Sequence, residues 1–347
     1  MIIFFVILFA LCAWRMKYQK DGYYNDYINP SQTAAIRGIF ACIIFLSHLR
    51  DYMTLSGPGA NSYSWLLYQI GQCMVAAFFF YSGYGIMFSY RIKENYEKGF
   101  LKKRLFITWL HFAVAVCMYW ILNCILGNSY PLKRILLSFT GWDDIGNSNW
   151  FMFVTFAFYL IIWISFKIIK KVLPNSGSVT RSYGIVALAF VGTSILFVFL
   201  HMSKGSWWYD TVFTFAAGGL YCLLKDKIDK FVMCRKHYLI SGVFVIAMYV
   251  IFREGGSALL YNVCAIFFVL AITWFTMKVK INNPFIDWMG KYSFYIYIYM
   301  RIPMIILQNL GLFANNNYLF TIVSFILTVS LAYIMSCVQK KIDRIFV

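Results

Sequence analysis

Read from the N-terminus, the chain alternates long apolar runs with short polar, basic ones. Apolar stretches fall near residues 1–14, 33–50, 65–90, 105–126, 150–169, 184–201, 207–224, 238–252, 257–277, 292–313 and 318–337. A membrane helix needs roughly 20 mostly apolar residues, so most of these eleven runs are long enough to span a bilayer; 1–14 and 238–252 are short. Runs this rich in Leu, Phe and Ile exclude water, so their backbone groups must be satisfied within each segment, which means helices. Alternating strands of about 10 residues, the signature of a barrel, are absent. The pattern predicts an all-α polytopic helix bundle: a ten-helix core over residues 33–347, preceded by an extra N-terminal helix and a cytoplasmic linker over residues 1–32.

Composition agrees. Of 347 residues, 61% are hydrophobic and 13% charged, whereas a soluble chain averages about 25% charged. The first segment ends in Arg15 and Lys17. A signal peptide carries its charge before the apolar run and a small-residue cleavage site after it, so a retained anchor is the better reading. Eight of nine cysteines fall in or beside apolar spans and no Cys-x-x-Cys pair exists, which fits packing rather than metal or redox chemistry.

Charge sets the orientation. One set of alternate loops holds 24 of the 31 Lys and Arg, and the other holds five, Arg50, Lys133, Arg134, Lys204 and Arg253. The positive-inside rule then places the C-terminus in the cytoplasm and the N-terminus outside. The net +18 resolves into +16 on the inner face, about zero on the outer face, and two arginines, Arg37 and Arg301, inside apolar segments. A charge confined to one membrane face argues for anionic lipid headgroups or a phosphorylated cytosolic ligand, not for nucleic acid.

Ionisable residues within spans are functional hypotheses by default. Arg37 and His48 are eleven residues apart, within about 20° of one helix face and roughly 16 Å apart along the axis. One face thus carries a fixed cation near the cytoplasmic side and a titratable base near the outer side. Asp51 follows His48 by three residues and reads either as a carboxylate holding the imidazole or as a solvated loop residue. Ser82 lies in an aromatic run with Gly83 and Gly85, where close helix packing is the simplest role. Lys102, Lys103 and Arg104 abut the next span, as topology signals or as a clamp for phosphates. His111, beyond them, reads as a hydrogen-bonded core histidine. At the outer boundary GWDDIGNSNW gathers Asp143, Asp144, Asn147, Asn149 and Trp150; such clusters suit sugar rings, and Trp is also an ordinary interface residue. Late in the chain Tyr295, Tyr297 and Tyr299 alternate before Arg301, which has no acidic neighbour in its own helix and should face the bundle interior.

Together these pieces resemble the acyltransferase-3 family, integral-membrane acyltransferases that commonly O-acetylate bacterial surface glycans. The resemblance covers residues 33 to 337 and is carried by Arg37-Gly38 with His48 eleven residues on, FFFYSGYGI, FLKKR, Asn149-Trp150-Phe151 and GKYSFYIYIY. It implies a multi-pass protein of the bacterial plasma membrane with no bound cofactor. Acetyl-CoA or another acyl-CoA would be the cytoplasmic donor, and a cell-surface or lipid-linked glycan the acceptor. By this resemblance His48 works in acyl transfer, and Arg37 and Arg104 match the family's arginines and would hold the donor; the reading of the residues adds Asp51 as a catalytic partner of His48 and Lys103 to the donor clamp. Ser82, Asn149, Trp150, Tyr297 and Arg301 then line the acceptor path. Two positions depart from the family's pattern: Ile107 stands where a second arginine is common, and Met300, followed by Arg301, where a histidine is usual. A carrier or flippase for a lipid-linked saccharide is the rival reading; no internal sequence repeat supports it.

Overall fold

The computed structural model describes residues 1–346. In chain order the helices are α1 (Ile3–Ala13), α2 (Pro30–His48), α3 (Ala60–Ile70), α4 (Cys73–Ile92), α5 (Ile107–Ile125), α6 (Leu132–Ser138), α7 (Trp150–Val172) and α8 (Ser178–Ser203). They continue with α9 (Phe213–Val232), α10 (Arg235–Arg253), α11 (Ala258–Lys278), α12 (Pro284–Lys291), α13 (Ser293–Tyr299), α14 (Arg301–Asn309) and α15 (Asn317–Phe346). Eight helices, some with their adjoining turns, are long and apolar enough to cross a membrane. The chain is an all-α multi-pass membrane protein. Its outer surface is apolar in the manner of a lipid-facing belt: Phe9, Ile195, Ile240 and Val243 are all exposed, and α10 buries Val245 alone.

Four of the eleven apolar stretches become something other than an unbroken span; one of them, 207–224, opens on a 3₁₀ turn at Ser206–Trp208 and is helical only from Phe213. Of the other three, the first is the 11-residue α1, about 16 Å long at 1.5 Å per residue, which packs beside α2. The second, 65–90, is two helices parted at Gly71, whose φ of +49° an L side chain rarely adopts. The third, 292–313, divides at Met300 into α13 and α14. Pro303 has no N–H to return to the Tyr299 carbonyl, so the helical ladder opens there. Arg301 therefore stands at the start of a new helix.

The two loop sets fall at opposite ends of the bundle. At one end the two-residue strands β1 (Lys17–Tyr18) and β2 (Val279–Lys280) pair antiparallel, with Lys17 opposite Lys280. Lys280 meets Asp26, Lys170 meets Glu97, and Tyr27 reaches Asp229 at that same end. At the other end Arg253 donates to the carbonyls of Tyr68 and Gln69, Lys204 to that of Trp142, and Asn317 to that of Thr54. These are the basic and the neutral end.

Two close backbone contacts lock the core. In α2 and α12, a Cβ on Gly38 would collide with the Ile286 carbonyl, and one on Gly290 with that of Ala34. This crossed register makes α12 antiparallel to α2, so α12 runs back toward the basic end before α13 and α14 turn outward. In α4 and α9, a Cβ on Gly83 would strike the Phe215 carbonyl, and one on Gly218 that of Phe80. Small residues let membrane helices approach this closely. Gly218→Val should therefore part α4 from α9 and cost roughly 1–3 kcal/mol. The expected readout is a lowered melting temperature of the detergent-purified protein; an unchanged melting temperature would contradict this packing.

Candidate active site

A cavity of about 1120 Å³ enters the bundle from the basic end. Its mouth is lined by Asn25, Asp26, Lys93, Lys225 and Asp226. It follows α4 from Ser89 to Val75, on the order of 20 Å at 1.5 Å per residue. Arg37 and Arg104 both line it. The Arg37 Nε donates to the Thr33 carbonyl at 3.3 Å, and neither guanidinium makes an ion pair with a carboxylate among the described residues. Phenols surround them instead: Tyr81 and Tyr159 beside Arg37, Tyr96 and Tyr159 beside Arg104. Two cations lining one cavity with no carboxylate partner among the described residues leave their charge for an anionic ligand.

Residues Leu101–Phe106 form a π-helical turn before α5, a geometry frequent at functional sites. Arg104 lines the cavity, while Lys103 lies off its lining. Ser82 also faces the cavity, within reach of the Tyr159 hydroxyl. His111 lines it as well, bonded through Nε2 to Asp343 at 2.7 Å.

Toward the neutral end the cavity closes on a floor of Ile44, Val75, Phe151, Tyr297 and Met300. The floor is aromatic and tightly packed. Phe79 stacks on Phe151 with centroids 4.8 Å apart, and Phe151 meets Tyr297 edge-on at 5.1 Å. Trp150 packs edge-on against Phe79 and Phe151, behind this floor.

Directly beyond the floor lies a second group. Ile44 is one helical turn before His48, and Met300 immediately precedes Arg301. Arg301 Nη2 is 2.9 Å from His48 Nδ1 and 2.8 Å from Asp51 Oδ2. His48 Nδ1 is 3.4 Å from Asp51 Oδ2. Residues Leu49–Asp51 form a 3₁₀ turn, in which side chains three apart eclipse, so Asp51 stands over His48. Asp51 is therefore part of the group. It is 52% exposed, whereas His48 and Arg301 are each 21% exposed, so the group opens to solvent through the carboxylate. Tyr52, Tyr119 and Tyr297 surround the guanidinium, whose Nε is buried without a partner among the described residues.

The chemistry of Nδ1 follows from its two neighbours. A guanidinium N–H can only donate, so while Arg301 holds Nδ1 that nitrogen accepts, and the neutral imidazole carries its proton on Nε2. If Arg301 withdraws, Asp51 can take an Nδ1–H and leave Nε2 basic. Arg301 and Asp51 thus favour opposite tautomers of His48.

Asn149 belongs to neither group. It caps α7 and lines a separate pocket at the neutral end, with Trp142, Asp143 and Trp208. The sequence offered no cue that Arg301, some 250 residues away in the chain, would meet His48; helix spacing reports only neighbours on one helix. Nor did it single out Trp207 and Trp208, although an adjacent indole pair beside Lys204 and Gly205 was a visible signal.

A family model described as an acyltransferase domain, of the acyltransferase-3 type, matches residues 25–337. No curated protein and no solved structure matches the chain.

Access to the two groups should be two-sided. In a cysteine-free background, Ser89→Cys at the cavity mouth should react with a membrane-impermeant maleimide from one face of a sealed vesicle. Asp51→Cys should react from the opposite face. Labelling of both from the same face would contradict the placement.

Proposed function

The chain belongs to the acyltransferase-3 family and is a membrane acyltransferase; from that premise we propose that it moves an acetyl group from acetyl-CoA to a hydroxyl of a cell-surface or lipid-linked glycan. The basic end faces the cytoplasm, by the positive-inside rule, and the membrane is the bacterial plasma membrane. The observation that carries this reading is the cavity itself, which joins two arginines without a carboxylate partner among the described residues to a floor next to the His48 group.

Length supports it. Arg37 and His48 are separated by roughly 16 Å along α2. A pantetheine arm, built of two amide units and their linkers, extends on the order of 15 Å by backbone bond lengths. Phosphates held at Arg37 and Arg104 thus bring the thioester to the floor beneath His48. The mouth lysines, Lys93 and Lys225, add positive charge at the nucleotide end.

The reaction is an acyl substitution. His48 removes the proton of the acceptor hydroxyl as its oxygen attacks the thioester carbonyl. The C–O bond forms, the C–S bond breaks, and coenzyme A leaves as a thiolate into the cavity, where it takes a proton. The base must be Nε2 with Asp51 at Nδ1, so Arg301 must first release Nδ1. The carbonyl oxygen that gains charge in the tetrahedral intermediate is a natural partner for the released guanidinium. The movement also requires Tyr297 and Met300 to open the floor. An aromatic floor between the cavity and the neutral end favours this reading over a saccharide carrier, which needs a conduit for the sugar itself.

Kinetics separate the roles. His48→Ala should lower the acetyl-transfer rate by about 10²–10⁴-fold with little change in the acetyl-CoA KM. Arg104→Ala should raise that KM by about tenfold or more and leave kcat nearly intact, since one charge-assisted hydrogen bond contributes roughly 1.5–3 kcal/mol. Wild-type turnover by His48→Ala, or equal acetyl-CoA affinity in Arg104→Ala, would overturn the assignment.

A further inference from the structure

The neutral end carries a second cavity, of about 450 Å³, that the proposed reaction does not use. Two loops build it, the stretch from Trp142 to Asn149 before α7 and the turn from Ser203 to Trp208 after α8. Lys204 is fixed at its back. Its ammonium lies 3.9 Å from the Trp142 ring centroid and 4.5 Å from that of Trp208, and donates to the Trp142 carbonyl at 2.8 Å. The position is a filled cation box. A quaternary ammonium headgroup, the usual guest of paired indoles, finds its place already taken.

Three groups remain free to meet a ligand. Trp207 is half exposed, and its ring folds back flat over Gly205, where a Cβ would collide with the indole. The glycine thereby makes room for the indole to lie against the turn. Asp143 and Asn149 line the cavity with side chains that make no hydrogen bond or ion pair among the described residues. Asp144 differs, being held by Arg134 at 3.3 Å. A half-exposed aromatic face, a free carboxylate and a free amide match the apolar C–H face and the vicinal hydroxyls of a pyranose ring. Two carboxylates beside a cation already enclosed by indoles disfavour an anionic guest.

The loop that forms one wall also reaches the His48 group. Gly146 packs against Ile305 of α14, one turn beyond Arg301, and against Tyr119. Asn147 and Ser148 are buried, and Ser148 lies near the Tyr297 hydroxyl. A single loop thus separates the two places.

We propose that this cavity is a saccharide subsite: it seats one neutral sugar ring on Trp207, read by Asp143 and Asn149, while a neighbouring unit of the same chain presents its hydroxyl to His48. The acceptor is then an oligosaccharide, not a monosaccharide. The seating of the ring is independent of the acyltransferase reading; the delivery of a hydroxyl to His48 rests on it.

The test is binding, measured on the full-length protein in nanodiscs, with chitotetraose and maltotetraose as neutral probes and a tetragalacturonate as the anionic one. At least one neutral tetrasaccharide should bind, and more tightly than its monosaccharide. Trp207→Ala and Asp143→Asn should each weaken that binding tenfold or more while acetyl-CoA binding stays unchanged. No binding by either neutral probe, tighter binding of the anionic probe, or wild-type affinity in Trp207→Ala would overturn the subsite. So would a Trp207→Ala variant that loses only its partitioning into lipid, since the indole would then be a membrane-interface residue. Saccharide binding without any release of free coenzyme A from acetyl-CoA would leave the subsite standing and remove the reaction.

Discussion

The site depends on one partly buried cation. A guanidinium inside an apolar bundle must find partners or water, and Arg301 finds His48 and Asp51 on another helix. That contact ties the first core helix to the broken late helix, and Pro303 makes the break that lets Arg301 sit at a helix start. It also sets the tautomer of His48. The group that organises the site therefore holds Nδ1 of the imidazole as long as nothing else claims the guanidinium.

A second constraint is separation. Arg37 and the His48 imidazole lie on the same helix, with Arg104 on another wall of the cavity, yet an aromatic floor stands between the arginines and the imidazole. In a membrane enzyme whose two substrates come from opposite faces, such a floor prevents an open water path through the bilayer. In the proposed reaction closure and transfer are coupled, the thioester displacing Tyr297 and Met300. The small-residue contacts of α2 with α12 and of α4 with α9 hold the walls rigid around that local movement.

Much of this was legible in the sequence because the membrane makes two signals strong. Hydrophobic runs mark spans, and the sorting of lysine and arginine into alternate loops separates the two ends that the structure then displays. The eight long apolar helices, with α9 and the α13–α14 pair, correspond to the ten core segments. Periodicity also placed Arg37 and His48 on one face, although it could not show a floor between them, since side chains from α4, α7 and α13 build it. Contacts between distant segments carry no local signature: the meeting of Arg301 with His48, the return of α12 along α2, and the sharing of one cavity by Arg37 and Arg104. Lys103 and Arg104 looked equivalent as neighbours in a basic run, and only the position of the cavity, built by distant segments, distinguishes them.

The most direct test is a cryo-electron microscopy structure of the protein with a non-hydrolysable acetyl-CoA analogue. The expected density has the phosphates against Arg37 and Arg104, the pantetheine arm along α2 and α4, and the acyl carbon beside His48 with Tyr297 displaced. Density for the nucleotide outside the cavity, or an acyl group far from His48, would contradict the proposed path of the acyl group.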